Sequence, residues 1–151
     1  LEDDASIMIR MSNKVKGNLS ISQVATGEEN NFRLSMYGDK GALHWSQENP
    51  NYATFSKLGK PNQIITRGGS LKQHGSFSFE RVPAGHPEGY LEAFAQIYSD
   101  AADVILNNEN KSDLIKILPN VNDGLHIMKF IKATVDSSNN NSAWTDLSTI
   151  K

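Results

Sequence analysis

The chain has 151 residues, a formal net charge of −2, and 38% hydrophobic against 21% charged residues, the balance of an ordinary globular domain. Cysteine is absent, which excludes disulfides, thiolate nucleophiles and cysteine-based zinc sites. No Lys/Arg cluster alternates with aromatics and no apolar run approaches the ~18 residues of a membrane span, so neither nucleic acid nor a membrane is expected as partner. Leu1 is not an initiator, and residues 1–5 run straight into apolar alternation without a leader. The chain is therefore expected to begin inside a longer protein.

The first part of the sequence alternates with period 2, the mark of half-buried strands. In residues 5–11, Ala5, Ile7, Ile9 and Met11 share one face and Ser6, Met8 and Arg10 the other. Residues 18–24 set Leu19 and Ile21 against Asn18, Ser20 and Ser22. Residues 31–37 set Phe32, Leu34 and Met36 against Arg33, Ser35 and Tyr37. Residues 42–47 set Leu43 and Trp45 against His44 and Ser46, and weaker runs follow at 52–58 and 63–67. The connections 13–17 and 38–41 are short and contain Gly or Asn, where a positive φ is expected, so the strands should form antiparallel hairpins.

Residues 66–85 have no clear period and read as a long loop, with Gly68-Gly69 supplying flexibility. Helical spacing then begins. Pro87 suits the first helical position, Glu88 and Glu92 the positive end of the dipole, and Tyr90, Phe94, Ile97, Ala101, Val104 and Ile105 recur on one face up to Asn107-Asn108. A second helix is expected from near residues 120–123 to Ser137, with Leu125, Ile127, Met128, Phe130, Ile131 and Val135 as its wide apolar face. Residues 137–142 end it, and 143–147 look like a closing strand. Strands first and helices afterwards predict an α+β domain over 1–151: an open-faced, mainly antiparallel sheet of about six or more strands with helices on one face. The opposite face, with Ser6, Met8, Arg10, Ser20, Ser22, Arg33, Ser35, Tyr37, His44 and Ser46, suits either solvent or a second sheet stacked on it.

Chemistry is sparse. There is no G-x-G-x-x-G, no P-loop and no G-x-S-x-G. His44, His74, His86 and His126 are not spaced as a local metal pair, so no metal site is expected. One cluster stands out, Pro83-Ala-Gly-His-Pro-Glu-Gly-Tyr90. It reads as a tight turn into a helix, with His86 at or next to the N-cap among free backbone N–H groups, a setting that favours anionic or hydroxyl-rich ligands. The alternative is that His86 only caps the helix while Tyr90 packs in the core.

Six ordered segments carry a resemblance: residues 22–31, Tyr37-Gly-Asp-Lys-Gly41, Leu43-His-Trp-Ser-Gln-Glu-Asn-Pro50, residues 84–94, Val121-Asn-Asp-Gly-Leu125 and Trp144-Thr-Asp-Leu147. Together they resemble the C-terminal domain of the glucose–fructose oxidoreductase / inositol dehydrogenase (Gfo/Idh/MocA) family. The resemblance implies a parent with an N-terminal Rossmann domain that binds NAD or NADP and moves hydride to or from a sugar, cyclitol or related polyol. The family's Glu-Lys-Pro lysine and its Asp-x-x-x-His pair do not occur here, so no catalytic residue is expected in this chain and the isolated domain should be inactive. By the same resemblance, His86 is expected to face substrate, with Tyr90 and Glu88 as further substrate-binding candidates. The polar sheet face is expected to join subunits into a homo-oligomer, a dimer or tetramer, and the implied location is cytoplasmic. The competing reading is a non-catalytic sheet-pairing module that binds or assembles without redox chemistry.

Overall fold

The computed structural model describes residues 3–68, 80–106 and 118–150. Six strands come first: β1 (Asp4–Arg10), β2 (Lys16–Ser22), β3 (Arg33–Tyr37), β4 (Gly41–Ser46), β5 (Tyr52–Lys57) and β6 (Gln63–Thr66). Among the described residues two helices follow, α1 (Tyr90–Ile105) and α2 (Val121–Asn139), and then a 3-10 turn at Leu147–Thr149. Every strand pair is antiparallel, so the α+β fold read from the sequence is the fold observed. The strands divide into a hairpin, β1-β2, and a four-stranded meander, β3-β4-β5-β6. The chain forms two compact units, one built from the hairpin, α2 and the closing turn, the other from the meander and α1.

In the first unit the hairpin pairs Ile7 with Leu19 and Ser6 with Ser20, and its inward residues Ala5, Ile7 and Ile9 are half-buried while their neighbours are exposed. The left-handed conformation in its turn falls on Lys14 (φ 68°) and not on Gly17. Arg10 lays its guanidinium 3.9 Å over the ring of Trp144, which ties β1 to the closing segment of the same unit. Residues 143–147 do not form the expected strand. Ser137 donates to the Ala143 carbonyl at 2.8 Å, and Asp146 accepts the Ser148 N–H at 2.8 Å, so side chains satisfy this backbone locally and turn it into the 3-10 helix.

In the meander, the register places Leu34, Trp45, Ala53 and Ile65 in one row and Met36, Leu43 and Phe55 in the next, all on one face. Phe32 meets Trp45 edge-on at 5.9 Å, and the Trp45 indole donates to the Pro50 carbonyl at 3.1 Å. The other face carries Ser35, His44 and Thr54 across three strands; Ser35 Oγ lies 3.0 Å from His44 Nδ1, and Tyr37 stands edge-on to the imidazole at 5.3 Å. The alternation therefore sorts polar from apolar faces as the sequence indicates.

Burial departs from expectation. Among the described residues only Ala133, Ile150 and Asp100 are buried. Helix α1 turns Glu92, Gln96 and Ser99 to half-buried positions and leaves Phe94, Ile97 and Ile105 exposed. On α2, Leu125, Ile127, Met128 and Ile131 are exposed, while Phe130 and Val135 are half-buried. Hydrophobic periodicity marks the apolar face of a helix but does not supply its cover. No helix of the described residues is long and apolar enough to cross a membrane. The continuation of α1 to Asn107-Asn108 lies outside the described residues.

Gly41 opens β4 because no side chain fits there: a Cβ would stand 2.5 Å from the Ser56 carbonyl oxygen on β5. Neither Gly38 nor Gly41 has a positive φ, so the glycine of this turn is fixed by close approach. The substitution Gly41→Ala is expected to cost about 1–3 kcal/mol, from overpacking against backbone. Gly38→Ala, whose Cβ would meet Gly41 O at 3.6 Å, should cost less. Urea denaturation of the two variants checks this, and equal midpoints would contradict it.

Candidate functional site

His86 and Glu88 sit on the loop of residues 81–89 that leads into α1, and Tyr90 is the first residue of that helix. This loop is held by one node of side chains. Arg67 follows β6 and continues its ladder, its N–H donating to the Asn51 carbonyl at 2.9 Å. Its guanidinium donates through Nε to Asn51 Oδ1 (3.1 Å), through one terminal nitrogen to the Val82 carbonyl (3.1 Å), and through the other to the carbonyls of Pro83 (3.1 Å) and His86. It also pairs with Glu88 Oε2 at 2.7 Å, where the two side chains are 16% and 7% exposed. The other oxygen of Glu88 accepts the N–H groups of Arg81 (2.6 Å) and Val82 (2.9 Å).

Asn51 completes the node. Its Oδ1 accepts the Glu88 N–H and its Nδ2 donates to the Glu88 carbonyl, both at 3.0 Å. With both of its backbone groups held in this way, Glu88 cannot begin the helix. Pro87 is therefore not the first helical residue: α1 starts at Tyr90 with Gly89 as N-cap, and the Gly89 N–H donates to Glu92 Oε2 at 2.9 Å. Gly68 lets the two chain segments of this node close together, since a Cβ there would come within 3.0 Å of Ala84 and its φ is +74°. Its role is close approach, not loose flexibility; residues 69–79, with His74, lie outside the described residues.

His86 is exposed and stands three residues before the N-cap, not on it. Its N–H returns to the Pro83 carbonyl at 3.2 Å, and its Nδ1 lies 3.3 Å from the same oxygen. Glu88 is joined to His86 through Arg67 but is occupied as a strut, with both oxygens taken. Tyr90 is not gathered with them. It is 70% exposed and lies against Phe94 at 4.9 Å, so it is not the core residue that its spacing suggests. Arg67 and Asn51 were not legible as site residues, because their partners lie 15 to 37 positions away in sequence. The only hint was a basic side chain at the base of a long loop.

An open cleft of about 360 Å³ runs beside α1, lined by Pro50, Glu88, Glu92, Gln96 and Asp100 among others; neither His86 nor Tyr90 lines it. Along α1, Gln96 donates to the buried Asp100 at 2.7 Å, and Arg81 donates to Gln96 (3.3 Å) and Ser99 (3.0 Å). Among the described residues, no three His, Asp or Glu side chains gather as metal ligands would.

With the fold and this node in view, the comparisons are direct. The chain matches the family described as "Oxidoreductase family, C-terminal alpha/beta domain" (GFO_IDH_MocA_C) over residues 1–147. It belongs to that family. It is 30% identical over 149 residues to the uncharacterized oxidoreductase YfiI of Bacillus subtilis, covering 97% of this chain and 38% of that protein. It is 39% identical to an oxidoreductase from Sinorhizobium meliloti, with a TM-score of 0.84 over 97% of this chain and 42% of the other. It is 26% identical, again with a TM-score of 0.84, to an inositol dehydrogenase homolog from Azotobacter vinelandii that was solved with NADH and myo-inositol; 96% of this chain and 39% of that one are covered. The chain thus spans about two fifths of the length of these relatives.

The two described helix starts each use the chain's own side chains at the cap. Here Glu92 takes the Gly89 N–H of α1, and at α2 Asp123 takes the Asn120 N–H at 2.8 Å while Asn120 Oδ1 takes that of Asn122 at 2.8 Å. Each of the two starts carries a carboxylate that accepts the N–H of its own N-cap residue.

The Gly89 N–H, followed by the backbone of Glu92 itself, holds the Glu92 carboxyl below its ordinary value. A depressed folded-state value gives stability that is present above the unfolded value, about 4.3 for glutamate, and is lost as pH falls through the folded one. Acidification from pH 5 should therefore release the start of α1, seen as faster amide exchange at Gly89. Glu92→Gln should flatten that acid dependence; an unchanged profile in the variant would contradict the assignment.

Proposed function

We propose that this chain is the substrate-binding and subunit-pairing part of an NAD(P)-dependent oxidoreductase acting on a sugar, cyclitol or related polyol. The observation that carries this reading is the inositol dehydrogenase homolog, which shares the fold over nearly the whole chain and was solved with NADH and myo-inositol. The His86 loop adds to it: an exposed imidazole on a backbone fixed from behind by Arg67 is suited to hydrogen-bond a hydroxyl without paying the entropy of loop ordering at each binding event. Glu88 supports that loop from within, and Tyr90 lies beside it as an exposed aromatic.

The cofactor and the acid–base groups belong to the remaining three fifths of a protein of the relatives' length. The dinucleotide fingerprint G-x-G-x-x-G does not occur in this chain's sequence. The cofactor supplies the hydride chemistry; this chain's own residues bind and orient the polyol. The polar meander face with Ser35, Tyr37 and His44 is assigned to subunit pairing, because small hydroxyls with an exposed Tyr allow a second sheet to approach closely. The parent protein is assigned to the cytoplasm.

Two measurements test this. Fluorescence titration of the chain with NADH should give no binding, and micromolar affinity would contradict the division of labour. Sedimentation at high concentration should show self-association that Tyr37→Asp weakens, whereas a clean monomer would defeat the pairing role.

A further inference from the structure

The guanidinium of Arg67 directs its donors at one loop and its anchor. It reaches Asn51 Oδ1, the carbonyls of Val82, Pro83 and His86, and the Glu88 carboxylate. A planar fork with five N–H donors can hold several carbonyls at fixed angles, which a lysine ammonium on a flexible stem cannot. The oxygen of Pro83 is where this matters. Three nitrogens converge on it: Arg67 at 3.1 Å, the His86 backbone N–H at 3.2 Å and His86 Nδ1 at 3.3 Å.

A carbonyl oxygen only accepts, so in the neutral ring Nδ1 must carry the proton. Nε2 is then left as a lone-pair acceptor on an exposed side chain. We propose that Arg67 is the positioning residue of this loop: it fixes the Pro83 carbonyl, which sets the His86 tautomer, so that the ring meets a polyol hydroxyl as acceptor and not as donor. The second half of this inference rests on the reading that His86 faces substrate; the first half does not.

The test is two-bond ¹H–¹⁵N spectroscopy of the full 151-residue chain labelled at histidine, at a pH where His86 is neutral. The wild type should show the Nδ1–H form. Arg67→Lys keeps a cation for Glu88 but loses the fork, and should return His86 to the Nε2–H form that an unrestrained imidazole prefers, while β4 and β5 amide shifts stay in place. If Arg67→Lys disturbs the sheet amides, Asn51→Ala removes the Nε anchor instead and should move the tautomer in the same direction. A wild type already in the Nε2–H form, or a folded Arg67→Lys chain that keeps Nδ1–H, overturns the proposal. Adding myo-inositol to the labelled wild type separates the two halves. A shift at Nε2 supports the acceptor role, and no shift defeats the substrate-facing reading while the Arg67 effect on the tautomer still stands.

Discussion

The ion pair of Arg67 and Glu88 is the constraint on which the candidate site depends. The loop that it holds has few backbone hydrogen bonds of its own, and it links a sheet to a helix whose start is delayed by the same node. Exposed ion pairs contribute little, about 0–1 kcal/mol, because water screens them and two long side chains must be ordered. This pair differs in being largely shielded and in having both carboxylate oxygens occupied. Removing one partner of a fully buried pair costs about 3–5 kcal/mol. With a sixth of the Arg67 side chain still exposed, roughly 2–3 kcal/mol is the reasonable scale here. That is enough to decide whether residues 81–89 have one conformation or many.

A second constraint acts on the surface. Helix α1 buries a polar row and exposes apolar side chains, with Asp100 at 7% exposure against Ile105 at 77%. Burial of large apolar side chains stabilises by about 1.5–3 kcal/mol each, so an exposed apolar helix face marks an interaction surface. The relatives are more than twice as long as this chain. In the proposed assembly those faces meet the rest of the parent protein or a second copy, and the chain draws part of its stability from that contact.

The sequence discloses the strands well, because alternation reports which side chains share a face, and the register bears this out for Leu34, Trp45 and Ile65. It discloses less about ends and covers. The helix start was misplaced from Tyr90 to Pro87 because the amide of Asn51, from a distant turn, takes both backbone groups of Glu88. Spacing marks an apolar face on α1 and α2, but periodicity carries no information about what covers that face. Trp144 was placed on a strand, where Asp146 and Ser137 instead satisfy the backbone locally. His86 was legible as a candidate from its motif, whereas Arg67, which holds it, was not, since no local pattern joins residues 67, 83, 86 and 88.

The most direct measurement is a double-mutant cycle on Arg67→Ala and Glu88→Ala, read by urea denaturation at neutral pH. If the pair anchors the loop, the two substitutions should couple by about 0.5–3 kcal/mol, the range for residues that share one network. Losses that add to within about 0.3–0.5 kcal/mol would mean that the pair is an ordinary surface contact, and the account of the site built on it would fail.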